Sequence, residues 1–190
     1  NENLWVNGGS NQVANLLQRK RQSDRYRIIS NFYGEVDLVK GLKFKSLLGV
    51  DYLFNELTSF NPVWQRGVDV NTTQNIFVSQ PKTLNWLADQ LLTYDRALGA
   101  HTINAIAGFS AQQFTQTSFG ASAQGSPSPT LDQVSNMPTP TGAFGSSVPS
   151  ALVSQFVRAN YAFRDKYLLT ATVRRDGSSR FGANYKYGIF

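Results

Sequence analysis

Apolar and polar side chains alternate along two neighbouring segments near the end of the chain, residues 155–163 and 167–175. A period of two is typical of a β-strand with unlike faces, because successive side chains point to opposite sides. The polar break Arg164–Asp165–Lys166 between the segments is short enough for a tight turn. The sequence therefore predicts a β-hairpin. Its apolar side carries Val157, Ala159, Tyr161, Phe163, Tyr167, Leu169, Ala171 and Val173.

The same alternation recurs in two earlier pairs of segments, which predict two further hairpins. In the first pair, the turn is predicted at Lys40–Gly41, where glycine tolerates the positive φ of a short hairpin. In the second pair, the break at 97–100 contains Gly99. The four segments are residues 26–38, 42–60, 84–94 and 103–112.

Two long polar segments, 61–82 and 119–150, separate the three hairpins and are predicted to be loops. The second is rich in Gly, Ser, Thr and Pro. Long loops without structure are uncommon in compact soluble domains but are expected outside a large barrel. Several strands also reach the ~9–11 residues that cross a bilayer, whereas soluble strands average ~5–6. Short turns are thus predicted on one side and long loops on the other.

From the pattern alone, two fold classes stay open: a segment of an antiparallel transmembrane β-barrel, and a soluble all-β module. About six strands are too few to close a barrel, since bacterial barrels begin at about eight. The rest of such a barrel would lie outside this chain. The sequence begins at Asn1 without a signal peptide, and we expect an internal piece of a longer protein.

Composition narrows the chemistry that the chain can carry. It contains no cysteine, so neither disulfides nor cysteine-ligated zinc is possible. The net charge is +6, but only 16% of the residues are charged. The basic residues are less concentrated than a nucleic-acid binder requires on its binding face. The sequence contains no run of about 18 apolar residues, so no transmembrane helix is predicted. His101 is the single histidine, and no catalytic residue, metal ligand or cofactor site is predicted.

Residues Asn160–Gly182 read NYAFRDKYLLTATVRRDGSSRFG, and the aromatic segment YKYGIF follows at 185–190. This stretch resembles the barrel of the SusC/RagA-family TonB-dependent outer-membrane transporters of Bacteroidetes, in which a YLLTA strand is followed by DGSS. Phe163 stands where the family more often has tyrosine. Shorter stretches, VKGL at 39–42 and LLTY at 91–94, also look like family hairpins.

The resemblance implies a location, a fold and a function for the parent protein. It implies an outer-membrane barrel of about 22 strands around a plug domain, with residues 1–190 forming part of that one barrel domain. Its short turns would face the periplasm. The implied partners are TonB, acting through a region absent from this chain, a SusD-like surface lipoprotein and outer-membrane lipid. The implied substrate is a nutrient such as an oligosaccharide or peptide, and the implied protein is not an enzyme.

Two sets of residues are candidates for contact with substrate. The polar side of the last hairpin could line the barrel lumen, or it could pair its charges with the plug. Trp5 and Trp64 lie in predicted external segments, where aromatic rings could stack on sugars. The predicted lumen residues are Arg158, Asn160, Thr170, Thr172 and Arg174.

Three functional hypotheses follow from the sequence. The leading one is TonB-dependent import, with this chain supplying part of the barrel and its external loops. The second hypothesis is a passive porin or an autotransporter translocator. Those proteins lack a plug domain, so a plug domain upstream in the parent protein would contradict it. A soluble β-sandwich that binds carbohydrate or acts as an adhesin is the third, and it would fold in buffer without detergent.

Overall fold

The computed structural model describes residues 19–66, 69–182 and 184–190, and most of them lie in β-strands. In chain order the strands are β1 (Lys20–Val39), β2 (Leu42–Asn61), β3 (Trp64–Arg66), β4 (Asp69–Asn71), β5 (Asn75–Ser79), β6 (Lys82–Leu98), β7 (His101–Gln124), β8 (Thr139–Phe163), β9 (Tyr167–Ser178) and β10 (Tyr187–Ile189). One turn of 3₁₀ helix spans Val134–Asn136. The described residues contain no helix that is both long and apolar enough to span a membrane.

The strands form one large sheet and one small one. The large sheet has the order β1-β2-β5-β7-β8-β9-β10, and β6 also pairs with both β2 and β7. The pair β3–β4 forms a separate two-stranded antiparallel sheet. The six long strands and three hairpins predicted from the alternation are therefore confirmed: β1–β2, β6–β7 and β8–β9.

Most of the long strands extend further than the apolar alternation indicated. β7 continues to Gln124 and β8 begins at Thr139, so the loop predicted over 119–150 is wrong at both ends and spans only 125–138. The added residues are mainly Gly, Ser, Thr and Ala. Backbone ladder hydrogen bonds form without regard to side chain. The strands therefore persist where the hydrophobic signal stops.

The start of β8 also contains two prolines, which lie within the segment predicted as a loop. Pro140 and Pro149 both precede Leu152, the first β8 residue in register with β9. A proline lacks the N–H that a ladder needs, and it is therefore tolerated on the open side of a strand or near the start of one, where Pro140 lies.

The segment predicted as the first long loop, 61–82, is wrong in part because it contains three short strands. Of these, β5 pairs antiparallel with the end of β2 on one side and with the end of β7 on the other. Its Ile76 lies opposite both Phe60 and Ala123. A strand of five residues is too short to show periodicity in the sequence, and its position depends on these two neighbours.

The β8–β9 register confirms the two faces predicted for the last hairpin. Directly opposed residues of an antiparallel pair lie on the same face. Val157 pairs with Val173, and Tyr161 pairs with Leu169, on the apolar face. On the other face the pairs are Phe156 with Arg174, Arg158 with Thr172, and Asn160 with Thr170.

The chain divides into two compact units, and the first comprises residues 1–26, 54–82 and 117–147. In its described part, Phe60 and Ile76 are 1% and 2% exposed and pack with Ala123 and with Met137 of the 125–138 loop. The ammonium of Lys20 lies 3.0 Å from Oδ2 of Asp132 in the same loop. The loop is therefore held to the strands by apolar contacts and by an ion pair.

The second unit comprises residues 27–53, 83–116 and 148–190, and it holds all three short turns. The Arg164 N–H donates to the carbonyl of Ala100 at 2.7 Å, which joins the last turn to the preceding one. The Asp95 N–H donates to the carbonyl of Gly41, also at 2.7 Å. These bonds place the short turns along one edge of this unit, as predicted from the sequence.

All three turns use left-handed backbone conformations. Gly41 and Gly99 have φ of 85° and 59°, which glycine adopts without steric cost. The last turn has no glycine, and Arg164 and Asp165 take φ of 52° and 53°. Two consecutive positive-φ residues are typical of a type I′ hairpin turn. A non-glycine residue in this region carries a strain of about 1–2 kcal/mol.

The apolar face of the second unit is exposed. Val157, Leu169 and Val173 are 54%, 66% and 59% accessible. Soluble monomers rarely leave such a contiguous apolar surface uncovered. The sheet therefore has one face suited to lipid or to a protein partner.

Candidate functional site

A continuous row of hydrogen-bonded polar side chains crosses four strands on the other face of the second unit. The Thr170 hydroxyl of β9 donates to Oδ1 of Asn160 on β8 at 2.9 Å. The Asn160 amide donates to Oδ1 of Asn104 on β7 at 3.1 Å. The Asn104 amide in turn donates to the carboxylate of Asp95 on β6. We call these four residues the polar ladder.

The direction of the hydrogen bonds in the polar ladder follows from the chemistry of its members. The Oδ1 atom of Asp95 accepts from the amide of Asn104, and this bond fixes the amide orientation of Asn104. That orientation leaves the Asn104 oxygen to accept from Asn160, whose own oxygen accepts from Thr170. Every donor therefore points toward the carboxylate, an arrangement in which neighbouring bonds polarise one another.

Arg174 lies on the same face of β9 as Thr170, and its charge is paired locally. Its Nε donates to both carboxylate oxygens of Asp176, at 2.8 Å each. Its Nη2 lies 3.5 Å from the hydroxyl of Ser154 on β8. Arg174, a predicted lumen residue, is thus a cation paired with a carboxylate two residues further along β9.

The remaining predicted site residues are placed as follows. Arg158 and Thr172 are exposed and directly opposed in the β8–β9 register. Trp64 is half-buried in the small β3–β4 sheet. Trp5 lies outside the described residues. The structure thus brings all five predicted lumen residues onto one face.

Two members of the polar ladder, Asn104 and Asp95, were not among the predicted site residues. In the sequence, Asp95 alternates with Tyr94 and Leu92, and Asn104 lies between Ile103 and Ala105, so the pattern does indicate that both face the polar side. The local pattern does not give the register between one hairpin and the next, and this register decides which polar residues become neighbours. Among the described residues, no group of three or more acidic, histidine or cysteine side chains is arranged to hold a metal ion.

A concave groove of about 380 Å³ lies on the same face and combines polar and apolar side chains. Its lining includes the ring of Phe156 and the polar groups of Ser154 and Arg174. Cavities of about 300–1,000 Å³ are the size that accommodates small ligands. This face therefore offers both hydrogen-bonding groups and an aromatic surface to a polar solute.

Comparison with known sequences finds TonB-dependent receptors over most of the chain. A receptor named P3 from Formosa agariphila is 34% identical over 180 residues, which is 90% of this chain and 17% of the relative. The receptor SusC of Bacteroides thetaiotaomicron is 34% identical over 97 residues, or 51% of this chain and 9% of SusC. No family model matches the sequence.

The fold is also that of solved transporter structures. The structure of the RagAB peptide transporter superposes with a TM-score of 0.86 at 21% identity, covering 97% of this chain and 21% of that one. The RagAB peptide importer in its open-open state gives 0.86 at 22% identity, covering 100% and 22%. The chain is much shorter than its curated relatives: it spans 17% of the length of receptor P3 and 15% of that of a second receptor, P39, from the same organism. It belongs to the SusC/RagA family of TonB-dependent transporters, as a segment of their antiparallel transmembrane β-barrel.

Proposed function

We propose that this chain forms part of the barrel and external loops of an active nutrient importer in the cell outer membrane. In this proposal all of residues 1–190 belong to one β-barrel domain. The apolar face of the last hairpin contacts lipid, and the polar face lines the lumen. TonB supplies the energy for transport, through a region of the parent protein that is not in this chain.

The observation that carries the proposal is the contrast between the two faces of β8–β9. Leu169 and Val173 are exposed apolar side chains, while the intervening Thr170 belongs to the hydrogen-bonded polar ladder. A barrel strand in a membrane needs an apolar exterior and a polar interior in alternation. The similarity to TonB-dependent receptors supports the same orientation.

The substrate is proposed to be a polar nutrient such as a peptide or an oligosaccharide. Two features support this class: RagAB, which shares the fold, is described as a peptide importer, and the proposed lumen face carries amide, hydroxyl and guanidinium groups. Such groups hydrogen-bond to peptide amides and to sugar hydroxyls alike. Trp64, together with Trp5, is proposed to contact the substrate from the external loops. A SusD-like surface lipoprotein is the proposed partner that delivers it.

The proposal is tested on the parent protein in its native membrane. We expect the protein in the outer-membrane fraction, and we expect its folded form to migrate differently from the boiled form on SDS gels. Uptake of labelled peptide or oligosaccharide should stop when TonB is deleted and resume on complementation. A parent protein found wholly in the soluble fraction would contradict the proposal.

The soluble β-sandwich hypothesis is tested with residues 1–190 alone. The exposed apolar face and the unpaired strand edges favour aggregation in buffer without detergent. A monomeric, cooperatively unfolding segment in detergent-free buffer would instead support the carbohydrate-binding or adhesin hypothesis.

A further inference from the structure

A compact group of aromatic and basic side chains surrounds the last turn. The His101 ring lies 5.0 Å from that of Phe163 and 5.9 Å from that of Tyr161, centroid to centroid. The Phe163 and Tyr167 rings stack at 6.4 Å. We call the set that these rings form with two neighbouring cations the turn-end cluster. Its members are His101, Tyr161, Phe163, Arg164, Lys166 and Tyr167.

The two cations of the turn-end cluster are associated with aromatic rings. The Arg164 guanidinium carbon lies 5.2 Å from the centroid of the Phe163 ring. The Lys166 ammonium lies 5.6 Å from that of Tyr167. Within the part of the chain that the structure describes, neither cation is within 4 Å of a carboxylate. A cation–π contact leaves the outer side of each charge open to an anion.

The rings of the turn-end cluster continue the exposed apolar face. The β8–β9 register places Tyr161 opposite Leu169, and Phe163 opposite Tyr167, on the same face as Val173. Leu169 and Tyr167 are well exposed, at 66% and 62%. The surface therefore passes from aliphatic residues, through aromatic rings, to positive charges. This is the order in which a membrane passes from acyl chains to headgroups.

We infer that the turn-end cluster binds the headgroup of an anionic phospholipid. The phosphate would accept from the Arg164 guanidinium and the Lys166 ammonium, while the lipid chains would lie along Leu169 and Val173. The Tyr167 hydroxyl is a further donor, whereas that of Tyr161 lies 2.6 Å from Nδ1 of His101. Charge selects the partner: a zwitterionic headgroup places its own cation near these two, whereas an anionic headgroup does not.

The test uses the full-length parent protein in detergent, with phosphatidylglycerol and phosphatidylcholine as separate probes in native mass spectrometry. We expect phosphatidylglycerol to bind more tightly. The double variant Arg164→Gln, Lys166→Gln should weaken phosphatidylglycerol binding about tenfold or more and leave phosphatidylcholine binding unchanged. The matched control Lys43→Gln, Lys45→Gln also removes two cations, but these lie outside the turn-end cluster. Lys43 contacts Glu35, and Lys45 lies over the ring of Tyr33. This control variant should bind phosphatidylglycerol like wild type.

Two further measurements keep the inference falsifiable if the double variant misfolds, which its heat-modifiable gel band would reveal. The charge-preserving variant Arg164→Lys, Lys166→Arg should retain the preference. Phosphatidylglycerol binding by the wild type should also weaken as salt is raised. Equal binding of the two lipids, equal weakening in the control variant, or binding insensitive to salt would each overturn the inference. Failure of nutrient uptake would bear on the proposed function and not on this site.

Discussion

The ring of Phe156 on β8 lies against the α-carbon of Gly108 on β7, in the space that a β-carbon at residue 108 would occupy. Gly108→Ala must therefore displace the ring, and we expect the folded barrel to lose about 1–3 kcal/mol. The measurement is the denaturant midpoint of the refolded parent protein in detergent. Replacing the ring by the smaller leucine side chain, with Phe156→Leu added to Gly108→Ala, should recover part of the lost stability.

Gly34 on β1 provides the matched control for this substitution. A β-carbon added there meets no atom within 4 Å. Gly34→Ala should accordingly be neutral, or stabilising by up to about 1 kcal/mol, because glycine loses the most backbone entropy on folding. If the two alanine variants have equal midpoints, the contact with Phe156 does not constrain residue 108.

The facing of β9 predicts which positions a water-soluble thiol reagent can reach in the intact membrane. The chain has no cysteine of its own, so an introduced one reports without background from this segment. Cysteine at Leu169 or Val173 should be protected by lipid. Cysteine at Thr170 or Thr172 should react, because these residues lie on the opposite face, toward the proposed lumen. Labelling is quantified by mass shift after a charged maleimide.

Reaction at residues 169 and 173, with protection at residues 170 and 172, would show that the two faces of β9 are exchanged. A one-residue slip in register moves every side chain of a strand to the other side. Uniform labelling at all four positions would indicate that β9 does not cross a membrane. Boiled samples, in which every position should react, calibrate the complete reaction.

The strained last turn predicts that glycine stabilises it. Asp165 has φ of 53°, so Asp165→Gly should raise the free energy of unfolding by about 1 kcal/mol. Asp165→Ala removes the same charge without relieving the backbone, and it should give no gain. Both effects are read from the temperature at which the heat-modifiable band is lost. A gain of equal size in both variants would assign the effect to charge.

The Lys20–Asp132 ion pair predicts a pH dependence in the first unit. The hydrogen bond from Lys20, and the charge of the ammonium, hold the pKa of the Asp132 carboxyl below its ordinary range. The folded state therefore binds this proton more weakly than the unfolded state. The resulting stabilisation is complete above the ordinary carboxyl pKa of about 3.9, and it is lost as the pH falls through the lowered value.

The thermal midpoints of wild type and Asp132→Asn should thus differ slightly at pH 7 and converge in acid. Lys20→Gln should reproduce the difference, and the double variant should add little to either single variant. A difference between wild type and Asp132→Asn that stays constant through the acid range would show that the ion pair contributes nothing.

The strands and their faces could be predicted from the sequence where side-chain chemistry alternates. Leu169 beside Thr170 is enough to indicate a strand with one apolar and one polar side. The predictions failed where backbone bonding alone extends the strand, as in the glycine- and serine-rich ends of β7 and β8. Such residues carry little preference of their own, and neighbouring strands decide their conformation.

The polar ladder could be predicted only in part, for a related reason. Asn160 and Thr170 belong to one hairpin, so the turn length fixes their pairing. Asn104 and Asp95 belong to another hairpin, and the contact of Asn104 with Asn160 depends on a long-range stagger that no local pattern encodes. The pairing of Arg174 with Asp176 was not predicted, although side chains two positions apart in a strand lie on the same face.

The hydrogen bond from the Arg164 N–H to the Ala100 carbonyl also has a consequence for sequence variation. Because residue 164 donates through its backbone, every residue type except proline retains this donor. The connection between the last two turns therefore does not depend on the side chain at residue 164, and a change of its charge leaves that connection in place.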